Sequence, residues 1–538
     1  MANHLDVSFE IEELRNLPLE RRTFPPLFFN SIHKNATQPF ITDGHDHYTY
    51  AQFGRKVLRL VHGLASLGIN KGTLVPLIAG NSIEYVITWF ALHLRGAQIA
   101  FVNPGLKGRV FEQVLTNCKS KYAFITNEVL NQLQEIDPSI YNYFEHLILI
   151  ESDADLMRRM QENPKLKKID DLYQDEDHQY VSQSHFSDVQ SIFFTSGSTG
   201  PSKAVMMPNG HFFANPCSFI RITDLSHKDI VYNALPLFHG IGSRQGVLPV
   251  FMVGGQYYLE KKFSASQFWP SVAKSKATIA LLTPSMPAIL KSKTETPYDS
   301  NHQLRAVYNV LYDEDFEKRF KVHMLSSFAI TEIGVVIYTP YGQRKLGSMG
   351  KCHEDWELAI VDEHGNILQP GQEGQLVCRP KSPFIMMTEY LNMPEATVSA
   401  IQHLWYQTSD FMRQDEEGYY YFSGRDKDRI RRRGENISPF EIETEIRTHA
   451  DVADCVAVGY PAADGEDEIR VYILGAPKKD LADIKIFREW LSSRLPASMI
   501  PRYYEYIDQF PLTNTEKIDR KMLRNLALSQ RSWDSQKT

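Results

Sequence analysis

Short apolar runs of strand length alternate with longer helix-like runs through most of this 538-residue chain. That rhythm limits its fold more than any other feature. Thr73–Ala79 reads as a strand, Ile83–Leu94 as a helix, and Gln98–Val102 as a strand again. Val189–Phe194 is an apolar strand that runs into a Ser/Thr/Gly-rich loop. Thr278–Leu282 and Leu304–Val310 read as further buried strands. Apolar strands separated by helices predict an α/β fold with largely parallel sheets. Trp356–Val361 and Gly374–Arg379 look instead like hairpin strands. Tyr85–Val102 is the most apolar long stretch, but His93, Arg95 and Gln98 interrupt it. It predicts a buried helix and strand rather than a membrane span.

The rhythm breaks near Gly424. The β-rich run Tyr419–Phe422 is followed by a charged turn, Gly424-Arg425-Asp426-Lys427-Asp428, and then by a basic strand. Ser438-Pro439-Phe440-Glu441 has the pattern of a capping box with proline at the first helical position, so a helix is expected to start there. Cys455–Gly459 and Arg470–Gly475 read as strands. Asp480–Leu495 reads as a helix with Ile484, Phe487, Trp490, Leu491 and Leu495 on one face. The expected division is a large domain over 1–424 and a small α+β domain over 425–538.

Charge and cysteine usage narrow the function classes. A net charge of −7 gives no general attraction to nucleic acid or anionic membranes. The five cysteines are scattered, with no C-x-x-C pair. That excludes a disulfide scaffold or zinc module as the organising principle and fits a reducing compartment. Met1–Glu20 is polar, without the apolar segment of a secretory leader, so the expected location is cytoplasmic.

The sharpest chemical signal is Thr195-Ser196-Gly197-Ser198-Thr199-Gly200-Pro201-Ser202-Lys203. Two glycines allow tight turns that aim N–H groups at an anion, and the hydroxyls and the lysine add donors for phosphate oxygens. The spacing G-x-x-G-x-x-K is not that of a Walker A loop. Read alone, such a segment is equally a plain surface loop. Three more elements follow in order: Phe328-Ala329-Ile330-Thr331-Glu332, then Thr408-Ser409-Asp410 with Gly424-Arg425, and finally Pro511-Leu512-Thr513-Asn514-Thr515-Glu516-Lys517-Ile518-Asp519-Arg520.

Together these motifs resemble those of the adenylate-forming superfamily of AMP-dependent ligases, which includes acyl-CoA synthetases, luciferases and peptide-synthetase adenylation domains. The resemblance spans nearly the whole chain. Around 236–260 and 376–440 it is most like the group that includes crotonobetaine/carnitine-CoA ligases. It implies an N-terminal domain with parallel-rich sheets and a β-barrel-like part, and a small C-terminal domain on a hinge at Lys427. It also implies ATP, Mg²⁺ and coenzyme A as cofactors and a small-molecule carboxylic acid as substrate. Thr195, Ser196, Gly197, Ser198, Thr199, Gly200 and Lys203 would hold phosphates. Phe328 would stack on adenine, Thr331 would lie near the α-phosphate, and Glu332 would bind Mg²⁺. Asp410 would accept from the ribose hydroxyls, helped by Arg425. Lys517 would contact carboxylate and α-phosphate, His239 would border the acyl pocket, and Gly434 would let pantetheine pass.

The chain departs from the family pattern at Ala204, Ala329, Ser409 and Glu516. It also lacks glycine in Val307-Tyr308-Asn309-Val310-Leu311-Tyr312, where relatives carry a Gly-rich element. Two alternatives stand beside the ligase reading. One is loading of an acyl carrier protein instead of free coenzyme A. The other is a non-catalytic nucleotide-binding protein of the same fold.

Overall fold

The computed structural model describes residues 17–151, 160–174, 184–195, 203–284, 286–309, 312–425, 428, 430–432, 435–449, 451–462, 467–474, 481–513, 517–529 and 532–535. They form two compact units. The first comprises Met1–Thr283, Thr296–Arg344 and Pro380–Ser399. The second comprises Pro284–Glu295, Lys345–Arg379 and Ala400–Thr538.

Two large sheets organise the first unit. One has seven strands in the order His323–Leu325, Ala306–Tyr308, Ile279–Leu281, Ile230–Asn233, Gln256–Leu259, Pro39–Thr42 and His47–Thr49. All neighbours are parallel except the last pair, a hairpin. The other has eight strands. Val189–Thr195, Gln98–Val102, Leu74–Ile78, Tyr122–Ile125, His146–Leu149 and Leu166–Lys168 run parallel, and Lys203–Pro208 and Glu389–Tyr390 add an antiparallel edge. Parallel strands are covered on both faces, which explains their unbroken apolar runs.

The helix Ile83–Leu94 follows its expectation to the residue. The Ser82 hydroxyl accepts from the Tyr85 N–H at 3.1 Å as its N-cap, and every residue but Glu84 is buried. Its Phe90 meets Phe24, Phe53 and Phe251 edge-on, with ring centroids 5.0–5.2 Å apart. The aromatic content of the chain is therefore spent largely on core packing here. Among the described residues no helix is long and apolar enough to cross a membrane.

The second unit contains an antiparallel sheet in the order Gly350–Cys352, Tyr419–Arg425, Trp405–Gln414, Glu373–Pro380 and Trp356–Val361. It also contains a four-stranded sheet of Asp454–Pro461, Asp467–Leu474, Tyr503–Ile507 and Trp533–Asp534, whose middle pair is parallel. The helix Pro439–Ile446 starts as its sequence requires, with the Ser438 hydroxyl accepting from the Glu441 N–H. Ile442 and Ile446 join Ile484, Phe487 and Leu491 of the helix Leu481–Ser492 in one core over Val471 and Ile473, with Trp490 and Leu495 at its margin.

Candidate active site

The Ser/Thr/Gly-rich loop is held at its two ends. Strands Val189–Thr195 and Lys203–Pro208 pair antiparallel with Thr195 opposite Lys203, and the Thr195 hydroxyl donates to the Lys203 carbonyl at 3.4 Å. Ser196, Gly197, Ser198, Thr199 and Gly200 lie outside the described residues, as do Lys427 and Gly434.

Phe328, Thr331 and Glu332 share one hairpin of the first unit. Strands Ser327–Ile330 and Gly334–Tyr338 pair with a bulge between Phe328 and Ala329. Thr331 and Glu332 sit in the tight turn, closed by Ile333 N–H donating to Ile330 O at 3.2 Å. Gly334 has φ +75°, and a Cβ there would stand 2.8 Å from His211 Cε1, so both backbone and space demand glycine. The Glu332 side chain is buried at 6% exposure, and its Oε1 accepts from the Tyr390 hydroxyl at 2.8 Å. The Tyr390 ring carries the Lys203 ammonium 4.6 Å from its centroid. Tyr390 thus joins the cation of the loop to the carboxylate of the hairpin.

Behind this set lies a buried polar chain. Gln245 and Val247 donate to the carbonyls five residues back, Gly240 O and Gly242 O, making a π-helical turn over Ser243–Val247. Arg244 on this turn is 3% exposed. Its Nη1 donates to His211 Nε2, and its guanidinium lies 4.3 Å from the centroid of Phe193. His211 Nδ1 donates to Ile385 O at 2.8 Å, which leaves Nε2 as the acceptor. Burial, and then the Arg244 charge, hold the His211 pKa well below the ordinary histidine value, so the ring is neutral. Burial pushes Arg244 down to about 9, with the Glu332 carboxylate opposing. His239 stands on the preceding turn, its N–H donating to Pro236 O at 3.2 Å and its ring 4.6 Å from that of Phe238. Tyr308, in the stretch without glycine, is 2% exposed and shares a 2.5 Å hydrogen bond with Ser327. Its bulk is absorbed into the core.

Asp410, Arg425 and Lys517 come together in the second unit. Asp410 and Arg425 are directly opposite on adjacent strands, and Arg425 Nε donates to Asp410 Oδ1 at 2.8 Å. The pairing with Glu373–Pro380 slips beside Thr408–Asp410, and Ser409 adopts φ +60° at the irregularity. Thr408 stabilises it: its hydroxyl donates to Leu376 O at 2.6 Å and accepts from the Asp410 N–H at 3.1 Å. Serine thus takes the left-handed backbone usually given to glycine, at a cost of about 1–2 kcal/mol. Asp410 is 1% exposed, and its Oδ2 is buried with no hydrogen-bond partner among the described residues. Burial raises the Asp410 pKa, opposed first by Arg425 and then by the charge of Lys517.

Lys517 is exposed on a loop closed by Thr513 N–H donating to Lys517 O at 2.6 Å. Three residues on, Arg520 anchors this loop in the core, its two Nη groups reaching both oxygens of buried Glu443 at 2.5 and 2.8 Å. Although burial alone would raise it, the Glu443 pKa is lowered, chiefly by Arg520 and then Arg447.

Tyr390, Arg244 and His211 were not found by sequence reasoning. Nothing in spacing or composition sets one tyrosine apart from 25 others. Only the proline turn after Tyr390 and the glycines around Arg244 mark irregular backbone there.

Residues 28–391 match the family model for AMP-binding enzymes. The crotonobetaine/carnitine–CoA ligase of Salmonella heidelberg (strain SL476) is 28% identical over 486 residues, covering 89% of this chain and 93% of the relative. The solved anthranilate CoA ligase AuaEII, in complex with anthranoyl-AMP, superposes with a TM-score of 0.86 at 22% identity, over 95% of this chain and 98% of that one. A benzoate CoA ligase from Burkholderia xenovorans LB400 gives 0.81 at 18% identity, over 94% and 100%. The family model covers well over half of the sequence and takes in the loop, the hairpin and Tyr390: the chain belongs to the AMP-binding enzyme family.

Proposed function

We propose that this enzyme activates a carboxylic acid with ATP, releasing pyrophosphate, and then passes the acyl group from the acyl-adenylate to the thiol of coenzyme A. The observation that carries the reading is the contact of one residue, Tyr390, with both Lys203 and Glu332. A phosphate-seeking ammonium and a cation-seeking carboxylate are held side by side, as a nucleotide triphosphate with a divalent cation requires.

The residues divide the work by chemistry. Lys203 and the loop it closes bind the phosphates. Asp410 offers to the ribose hydroxyls the buried oxygen that has no partner among the described residues, and Arg425 holds the carboxylate in place. Lys517 draws the substrate carboxylate to the α-phosphorus. A carboxylate is a weak nucleophile approaching an anionic centre, so alignment and charge compensation matter more than proton transfer. The Glu332 carboxylate suits Mg²⁺, which when bound would supply further compensation, and the Thr331 hydroxyl would lie near the α-phosphate. In the second half-reaction the thiol attacks the acyl carbon and AMP leaves. A turn of the region from 425 onward about Lys427, bringing Gly434 toward the thiol, would separate the two steps.

The test is AMP release across a panel of carboxylic acids, with and without coenzyme A. Acid-dependent AMP formation that rises with coenzyme A is expected. Stimulation only by a phosphopantetheinylated carrier protein would replace the acceptor, and no AMP with any acid would overturn the activity.

A further inference from the structure

His211 lies where three parts of the first unit meet. It stands in the first turn of the helix Asn209–Thr223, which follows directly on the strand Lys203–Pro208. Its Nδ1 donates to Ile385 O at 2.8 Å. Its Nε2 accepts from Arg244 and faces Asn215 Nδ2 at 3.4 Å. The hairpin of Glu332 rests on the ring edge, since a Cβ at Gly334 would stand 2.8 Å from Cε1. His211 is 1% exposed, so water does not compete for these contacts.

The segment that His211 holds is the one that holds Glu332. Met387 N–H donates to the Glu332 carbonyl at 2.7 Å, and the Tyr390 hydroxyl donates to the Glu332 carboxylate at 2.8 Å. Along the same segment, Thr388 and Leu391 donate to Met206 O and Ala204 O at 2.9 and 2.8 Å. Residues 385–391 thus form a strap that fastens both the backbone and the side chain of Glu332 to the strand of Lys203. The strap begins under strain. Phe384, though not glycine, adopts φ +60°. Its carbonyl is seated on Gly210, where a Cβ would stand 2.5 Å from the oxygen. Gly210 has no positive φ, so room for the strap explains that glycine. A left-handed side-chain-bearing residue costs about 1–2 kcal/mol and persists only where its surroundings pin it. The bond from His211 to the very next residue is such a pin.

We propose that His211 is a positioning residue for the metal-binding carboxylate: its Nδ1–H fixes Ile385, and through the strap it sets Glu332 where a divalent cation and a nucleotide are received. The proposal rests on the reading of Glu332 given above. Ligating carboxylates lose metal affinity when their outer supports are removed, commonly by about 10–100-fold. The strap's contacts fall on Glu332 and on the strand of Lys203, so the loss is expected in metal-dependent nucleotide binding rather than in binding of the acid.

The experiment compares wild type with His211→Asn, His211→Gln and Gly210→Ala. The asparagine amide takes the place of Nδ1 and keeps the donor to Ile385 O. The glutamine amide reaches the place of Nε2 and keeps the partner of Arg244 instead. Affinity for α,β-methylene-ATP is measured by calorimetry in Mg²⁺ and in EDTA, and the ratio of the two reports the metal's contribution. This needs no turnover, so it stands whatever the acid substrate is. Far-UV circular dichroism checks the fold. His211→Gln and Gly210→Ala are expected to lower the ratio by about 10-fold, and His211→Asn by no more than about threefold. A role in packing alone would affect the asparagine and glutamine variants alike, and that result overturns the proposal. So does a folded His211→Gln or Gly210→Ala with the wild-type ratio. If His211→Gln does not fold, Gly210→Ala decides, because it displaces the strap without touching the imidazole. Glu332→Gln tests the underlying reading. A metal contribution that survives it removes Glu332 as the metal ligand, and the proposal with it. A contribution lost in Glu332→Gln but indifferent to His211→Gln and Gly210→Ala overturns the proposal alone.

Discussion

The Tyr390 hydroxyl donates to Glu332 Oε1 at 2.8 Å, while the same ring lies under the Lys203 ammonium. Tyr390→Phe separates the two roles, keeping the ring and deleting the hydrogen bond. It is expected to lower kcat/KM for ATP by about 10-fold, as for loss of one hydrogen bond to a charged group, and to raise the divalent-cation requirement. Tyr390→Ala, which also removes the ring, is expected to fall further. Pyrophosphate release at varied ATP and Mg²⁺ measures both.

Asp410 sits in a place that disfavours its charge. Its pKa is raised by burial, so the folded state binds the proton more tightly than the unfolded one. This group therefore contributes stability at low pH that is lost as pH rises through the folded value. At neutral pH Asp410→Asn is expected to raise the melting temperature while weakening nucleotide binding. A variant that binds AMP as wild type does would remove Asp410 from the site.

Lys517→Ala is expected to cut acid-dependent pyrophosphate exchange by roughly 10²–10³-fold. Thioester formation from supplied acyl-adenylate should stay near the wild-type rate. Equal loss in both assays would argue against separate arrangements for the two half-reactions.

The anchor behind that lysine has its own cost when broken. Arg520→Met leaves Glu443 buried with Arg447 as its remaining cation, and is expected to destabilise by about 3 kcal/mol, the low end for a broken buried pair because Arg520 is partly exposed. Adding Glu443→Met should recover much of this. Urea unfolding of the single and double variants checks the sign.

Acid sensitivity should begin near the ordinary histidine range. His93 is fully buried among Phe24, Trp89 and Phe212, and burial lowers its pKa to about 3. Below about pH 6.5 the unfolded chain takes up a proton that the folded chain refuses, so stability falls as pH falls. The slope is about 1.4 kcal/mol per pH unit for one such group. His211 adds in the same direction. His93→Phe is expected to flatten the dependence of the urea midpoint between pH 6 and 4.

What the sequence disclosed depended on whether the cause was local. The helix Ile83–Leu94 was readable because its cap and its apolar run lie within one short segment. The start at Ser438 was readable for the same reason. Lys203, Glu332, Asp410, Arg425 and Lys517 were marked by motifs around them. Tyr390 and Arg244 were not, because their significance comes from partners far along the chain: Glu332 and Lys203 for one, His211 and Phe193 for the other. Ser409 lies between these cases. Its identity departs from the expected glycine, yet Thr408 supports a left-handed backbone there, which residue type alone did not reveal.

The pairing of Thr195 with Lys203 has an evolutionary consequence. The ends of residues 196–202 are fastened by two strands that keep one register from Ser191 opposite Met207 to Thr195 opposite Lys203, so much of the entropy of closing that segment is settled before any ligand arrives. Sequence change inside it is then insulated from folding and is felt mainly in affinity and rate. Such a segment can drift and be retuned toward new substrates while the scaffold beneath it stays the same.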